Sequence, residues 1–295
     1  MAVSVLILGC GFVGKYLGDL LKSKGMSFAA TTTDGREGTT KWRLPGPEEE
    51  ATAGDIDFHA LPEAQSIVIT FPLQGKGIAK RLVDGYIEHI RALAKDGTGN
   101  TKKPLWIYLG STRPFKEMPS TYLTPPDMAA GGVRVEAEEY LIQEHDGCVL
   151  NLAGLWGGAR DPKNWSRVYP DKEKLRKRLA DRSLHLVHGA DVARAIYAVI
   201  SQPEAVSGGR WLVSDRRVHD ALEIYIGDTR IRGLVQELLK ETETQILVGT
   251  AVVDDIELGP SAVSMRIDSS HFWSHVNIEP IYPFVTGRSD PYPGF

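Results

Sequence analysis

Val3 to Leu8 reads VSVLIL, an almost unbroken apolar run, and it passes directly into Gly9-Cys10-Gly11-Phe12-Val13-Gly14. Continuous apolarity over so few residues is the pattern of a strand covered on both faces of a parallel sheet. The next segment places Tyr16, Leu17, Leu20 and Leu21 at helical spacing, and Gly25 stops it. SFAATT, Ser27 to Thr32, then reads as a second strand. Strand, glycine turn, helix and strand within about thirty residues form the unit that sets a dinucleotide pyrophosphate on a helix amino terminus. Glycine at position 9 allows the tight turn. Gly11 lets the backbone approach the pyrophosphate, and Gly14 lets helix and strand pack closely. The segment Gly9, Gly11, Phe12, Val13 and Gly14 is therefore the predicted phosphate cradle. A glycine turn that binds no nucleotide is the alternative reading, weaker because a buried strand and a helix flank the motif as the fingerprint requires.

The alternation continues. Ser66–Leu73 (SIVITFPL), Leu105–Thr112, Cys148–Gly157 and Gly208–Asp215 read as strands. Ile78–Ala94, Val133–His145 and the stretch after Asp191 carry apolar residues on helical stripes. Strands alternating with helices predict an α/β fold, a Rossmann-like doubly wound parallel sheet with a small carboxy-terminal substrate-binding portion. Residues 1–157 are expected to form the dinucleotide-binding core, completed by segments within 184–215, and 158–295 mainly the substrate-binding portion and a terminal strap. Asp171–Arg182 is charge-dense and reads as a solvated helix face, and Arg232–Thr242 as an amphipathic helix. From His271 onward, aromatic residues alternate with prolines, the texture of an irregular strap packed on the body.

Composition narrows the class. Lys plus Arg total 34 against 38 Asp plus Glu, a net charge of −4, so the basic excess of a nucleic-acid binder is missing. Hydrophobic residues at 42% are enough to build a core, which excludes wholesale disorder. The two cysteines, Cys10 and Cys148, form neither a disulfide framework nor a zinc motif, and no metal cluster is visible. No apolar run reaches the ~20 residues of a membrane span. The expectation is a soluble, cytoplasmic protein that binds a small molecule.

The second strand decides the cofactor. It ends Thr31-Thr32-Thr33-Asp34-Gly35-Arg36. The hydroxyls of Thr32 and Thr33 and the guanidinium of Arg36 suit a 2′-phosphate and hence NADP. Asp34 argues for NAD, because a carboxylate there would repel that phosphate. Phe71, Pro72 and Leu73, at the end of a central strand, are expected to flank the adenine or ribose.

In this order and spacing the chain resembles the extended short-chain dehydrogenases/reductases, in their atypical NAD-dependent epimerase/dehydratase-like branch. The resemblance runs from Val3 to Asp215. It rests on the glycine turn, on LGSTRPF, LNLAGLWGGARDP and LVHGADVARAI, and on WLVSDRR. It implies that Ser111 and Thr112 face the nicotinamide, and that relatives dimerise through the helices beside the site, here Ile78–Ala94 and Val133–His145. The family's Tyr-x-x-x-Lys pair is missing: no tyrosine is followed by lysine four residues on. Aligned on Ala137-Glu138, Arg134 takes the lysine position and Ala130 the tyrosine position. Arg134 could bond a ribose or a carboxylate but stays protonated and cannot replace a phenol. Tyr122 is the candidate replacement acid. Asp191 is expected to cap a helix rather than form a dyad with His188.

These readings predict an NADP(H)-dependent reductase or dehydrogenase of a small organic substrate, an aromatic one being compatible, with a non-standard active site. A non-redox epimerase, dehydratase or isomerase on the same scaffold is one alternative. A non-catalytic dinucleotide sensor is the other.

Overall fold

The structure, a computed structural model, describes residues 2–46, 56–95, 103–115, 132–169, 171–263 and 267–292. The elements of the first half are β1 (Val3–Leu8), α1 (Phe12–Ser23), β2 (Phe28–Thr32), β3 (Thr40–Lys41), β4 (Ala64–Ile69), α2 (Lys76–Lys95), β5 (Leu105–Ser111) and α3 (Gly132–His145). Next come β6 (Cys148–Leu152), β7 (Gly154–Trp156), α4 (Lys172–Ala180), β8 (Ser183–Leu184), β9 (Leu186–His188) and α5 (Gly189–Ser201). The last are β10 (Arg210–Val213), β11 (His219–Asp220), α6 (Ala221–Tyr225), α7 (Thr229–Leu238), α8 (Thr242–Val248) and α9 (Ser270–His275).

Seven strands form one sheet in the order β3-β2-β1-β4-β5-β6-β10, and every neighbouring pair is parallel. Side chains alternate between its faces. Val5, Ile7, Val68, Ile107 and Leu150 point to the layer of α1 and α5. Leu6, Leu8, Ile67, Ile69 and Trp106 point to the layer of α2 and α3. Val5, Ile7 and Leu8 are wholly buried and Leu6 nearly so, each contributing about 2 kcal/mol of apolar burial. The fold is thus the predicted Rossmann-like doubly wound sheet. The strand order turns back at β1, so a crevice opens beyond the carboxyl ends of β1 and β4.

The carboxy-terminal portion has a core of its own, with Trp156, Leu175, Leu179, Leu222, Ile231, Val235 and Phe284 buried together. Here the structure corrects the sequence reading in four places. The single predicted strand Cys148–Gly157 is two: β6 stays in the main sheet, while β7 leaves it to pair with β9. The charged stretch 171–182 is not merely solvated. Asp171 caps α4 by accepting from the Lys174 N–H at 2.9 Å, and Leu175 and Leu179 are buried one turn apart. The predicted helix 232–242 is the body of α7, which begins earlier, at Thr229, and gives way at Leu238 to a turn and then α8.

The fourth correction concerns Asp191. His188, not Asp191, caps α5: its Nδ1 accepts the Ala190 N–H at 3.1 Å. Asp191 lies inside the first turn, fully buried, and receives the backbone N–H groups of Ile281 (3.0 and 3.1 Å) and Tyr282 (2.8 Å). Its remaining charge meets Arg194 at 2.7 Å. Asp215 likewise accepts the Phe284 N–H, and Asp290 meets His188. The aromatic tail is therefore a strap tied down by buried side chains. Tyr282 and Tyr292 pack on the first core and Phe284 on the carboxy-terminal one, so the strap joins the two.

Candidate active site

The glycine turn has the geometry its sequence demands. Gly9 adopts φ +91°, and a Cβ there would lie 2.8 Å from the Thr70 hydroxyl and 2.9 Å from the Phe71 ring. The turn is pinned from both sides: the Cys10 N–H donates to the Thr31 carbonyl, and the Thr70 hydroxyl donates to the Gly9 carbonyl. Gly14 packs within 3.2 Å of the Gly9 carbonyl, measured from the Cβ it lacks. Gly11 differs from both, since a Cβ there would meet nothing within 4 Å and would project into open space.

That space is a groove of about 450 Å³ lined by Gly9, Cys10, Gly11, Phe12 and Val13 at the head of α1. The helix has no side-chain cap and no acidic residue in its first turn. The N–H groups of Phe12 and Val13 find no acceptor among the described residues. Unpaired donors at a helix amino terminus whose first turn carries no acidic residue suit a pyrophosphate. These residues fit a dinucleotide.

At its far end the groove is lined by Thr31, Thr32, Thr33, Arg36 and Arg43, with Phe71 and Pro72 on the opposite side. The sequence reading needs two amendments here. Leu73 does not reach the groove: it is fully buried in the α2–α3 layer, and its N–H donates to the Tyr108 hydroxyl at 3.0 Å. The Thr32 hydroxyl is engaged in the turn, with Thr39 at 2.6 Å and the Gly35 N–H at 2.9 Å, so Thr33 offers the more accessible hydroxyl. Asp34 pairs with Arg36 at 3.1 Å and does not line the groove. The Thr32 hydroxyl and Arg36 hold the Asp34 carboxyl below its usual range.

A second cavity, of about 780 Å³, adjoins the first. Val13, Thr70, Pro72, Leu155 and Arg160 border both. Arg160 stands at the junction with its guanidinium 4.3 Å from the centre of the Phe12 ring, a cation–π contact. Ser111, Thr112 and Arg134 line this second space; Tyr122 lies outside the described residues. Three other phenols, Tyr108, Tyr169 and Tyr225, border it instead, and burial raises the pKa of each. No motif announced them, because they come from a strand interior, a loop and a short helix.

A buried polar network sets the end of β5, where Ser111 sits. Asn151 on β6 donates to the Ser111 carbonyl (3.2 Å) and to Glu138 (3.0 Å). Glu138, only 1% exposed, also accepts from Arg210 at 2.9 Å. Burial pushes the Glu138 carboxyl upward while Arg210 opposes the shift. The network fits only because residue 110 is glycine: a Cβ there would come within 2.4 Å of both Asn151 and Glu138. Removing one member would leave buried partners unpaired.

Among the described residues no group of His, Cys, Asp and Glu could hold a metal, and no helix is long and apolar enough to cross a membrane. No family model matches the sequence, nor does any curated protein. Solved structures do match. An NAD-dependent epimerase/dehydratase, so named, from Methylobacillus flagellatus aligns at 18% identity and TM-score 0.56, over 96% of this chain and 94% of its own. A short-chain dehydrogenase/reductase superfamily protein from Agrobacterium tumefaciens with bound NAD aligns at 12% and 0.53, over 95% and 93%. The yeast methylglyoxal/isovaleraldehyde reductase complexed with NADPH aligns at 14% and 0.53, over 95% and 94%.

Proposed function

From a chain that folds as the short-chain dehydrogenases/reductases and NAD-dependent epimerases do, we propose an NADP(H)-dependent reductase or dehydrogenase of a small organic substrate. The observation that carries this reading is the continuity of the two cavities across Val13, Thr70, Pro72, Leu155 and Arg160, with Ser111 and Thr112 on the far side of the junction. A groove alone would suit a dinucleotide; a groove that opens into a second, larger space suits one whose reactive end meets a substrate.

The dinucleotide, when bound, supplies or accepts a hydride. The chain's residues do the rest. Unpaired N–H groups of Phe12 and Val13 take the pyrophosphate, and Gly11 leaves it room. Arg36, Arg43 and Thr33 hold a 2′-phosphate, a preference supported by two arginines and no carboxylate lining that end. Ser111 donates a hydrogen bond to the substrate oxygen, held in place by Asn151 and Glu138 behind β5. Thr112 lies beside it, its own N–H tied to the Leu152 carbonyl. A donor aimed at the developing oxyanion is typically worth ~10²–10³ in rate; the proton that completes the alcohol comes from water in the second cavity.

The test is fluorescence titration with NADPH, followed by its consumption at 340 nm against a panel of aldehydes, ketones and keto acids. Micromolar binding and turnover with one class are expected; no binding at about 1 mM cofactor would end the reading. The missing Tyr-x-x-x-Lys pair favours a second reading, a dinucleotide sensor. Tight NADPH binding with no consumption of any panel member would select it.

A further inference from the structure

The second cavity has a charge imbalance that hydride transfer does not require. Among the described residues, four guanidinium groups border it, from Arg113, Arg134, Arg160 and Arg178, against the one carboxylate of Asp181. Arg160 is shared with the groove, but the other three are not. Arg113 and Arg134 have exposed side chains and no ion pair with any described residue.

Arg178 is more unusual. Its side chain is only 10% exposed. One Nη donates to the Asp181 carbonyl at 2.8 Å and the other to the Ser183 carbonyl at 2.9 Å, while Nε is buried without an acceptor. Carbonyls fix the plane of the group but do not neutralise it. The nearest carboxylate, Asp181, stands 3.7 Å away and is itself 43% exposed. A buried cation with so thin a counter-charge is costly on its own.

His185 adds a second, independent signal. It is 8% exposed and borders the same cavity. Its Nε2 accepts the Ile267 N–H at 2.9 Å, so in the neutral ring the proton sits on Nδ1, which no described residue meets. Apolar and aromatic residues, Leu155, Trp165, Tyr225 and Ile267 among them, share the lining with these donors and with the hydroxyls of Ser111 and Thr112.

We infer that the second cavity binds an organic oxyanion, a carboxylate or phosphate group on a largely apolar body, with Arg113, Arg134 and Arg178 supplying the positive field and His185 donating from Nδ1. Both groups present oxygens that accept from guanidinium and imidazole N–H. The inference rests on reading this cavity as the substrate site of the proposed enzyme.

The experiment is calorimetric titration of the full chain, with and without saturating NADPH, using three probes: phenylpyruvate, its methyl ester and phenyl phosphate. At least one anion is expected to bind about tenfold more tightly than the ester. Raising salt from about 50 to 300 mM is expected to weaken that anion several-fold and leave the ester unaffected. Preference for phenylpyruvate assigns the carboxylate and preference for phenyl phosphate the phosphate. Arg178→Gln should lower anion affinity about tenfold, and if that buried change prevents folding, Arg113→Gln on an exposed side chain should lower it about threefold. An ester that binds as well as either anion overturns the inference, as does failure of both anions to bind at about 10 mM. NADPH binding without anion preference would sink this inference alone. Anion preference in a protein that ignores NADPH would sink the proposed function instead.

Discussion

The two cavities are neighbours built on opposite plans. The groove is made largely of backbone: a glycine turn, unpaired N–H groups and a short second strand, nearly all from the first 44 residues with Thr70–Pro72 across from them. The second cavity is made of side chains gathered from β5, α3, the β6–β7 junction, the loop before α4, α4 itself, β8, α6 and Ile267. A site made of backbone must be written locally, because glycine and turn geometry act on adjacent residues. A site made of side chains needs only the fold to bring its members together, so its residues can be scattered and altered one at a time. The fold therefore speaks clearly about the dinucleotide and weakly about the substrate.

The contrast can be broken most forcefully at the brace that joins the two halves. Asp191→Ala removes the acceptor of two strap N–H groups and the partner of Arg194. Breaking a buried pair of this kind costs about 3–5 kcal/mol. Chemical denaturation should show that loss while the surviving folded fraction still binds NADPH; unchanged stability would mean the strap is ornamental.

Next in size is the groove itself. Gly11→Val introduces a side chain whose Cβ meets no protein atom within 4 Å and which projects toward the space proposed for the pyrophosphate. NADPH affinity should fall about 100-fold, or ~2.7 kcal/mol, with little change in melting temperature. Equal damage to stability would show that Gly11 serves packing rather than binding.

The second cavity should respond to mild acid through His185. Burial lowers the His185 pKa to about 4, from an ordinary 6.5. Between those values the unfolded chain binds the proton that the folded chain refuses. Stability is therefore complete above pH 6.5 and falls as pH drops toward 4, by about 2 kcal/mol between pH 7 and 5 from this residue. Urea denaturation of wild type and His185→Gln should show that slope flattened in the variant; parallel slopes would refute the burial argument.

The smallest effect is expected at the far end of the groove. Arg36→Ala should weaken NADPH about tenfold and NADH hardly at all, ~1.4 kcal/mol of discrimination. Equal losses for both cofactors would remove the 2′-phosphate assignment and return Asp34, freed of its partner, to the ribose.

The sheet was legible because a strand buried on both faces cannot tolerate charge, and VSVLIL or SIVIT show that at sight. The break at Ala153 was not, since LNLAGLWG is apolar throughout and apolarity alone cannot say where a strand changes partners. Ser111, Thr112 and Arg134 were reachable through a family pattern. Arg178 and His185 were hidden, one in a charged helix that resembles any solvated face, the other as the single residue between two short strands. The cap at His188 was missed because imidazole is an uncommon cap, and Asp191 nearby looked the better one.

The strap also has a bearing on biogenesis. Asp191 is made 90 residues before the Ile281 amide it binds, Asp215 69 residues before that of Phe284, and His188 102 residues before Asp290. On the ribosome, the seven-stranded sheet emerges while these acceptors still have only water for company. A stretch translated well after the sheet is thus the one that closes this seam, and anything that halts synthesis between the two releases a chain with its sheet complete and its seam open.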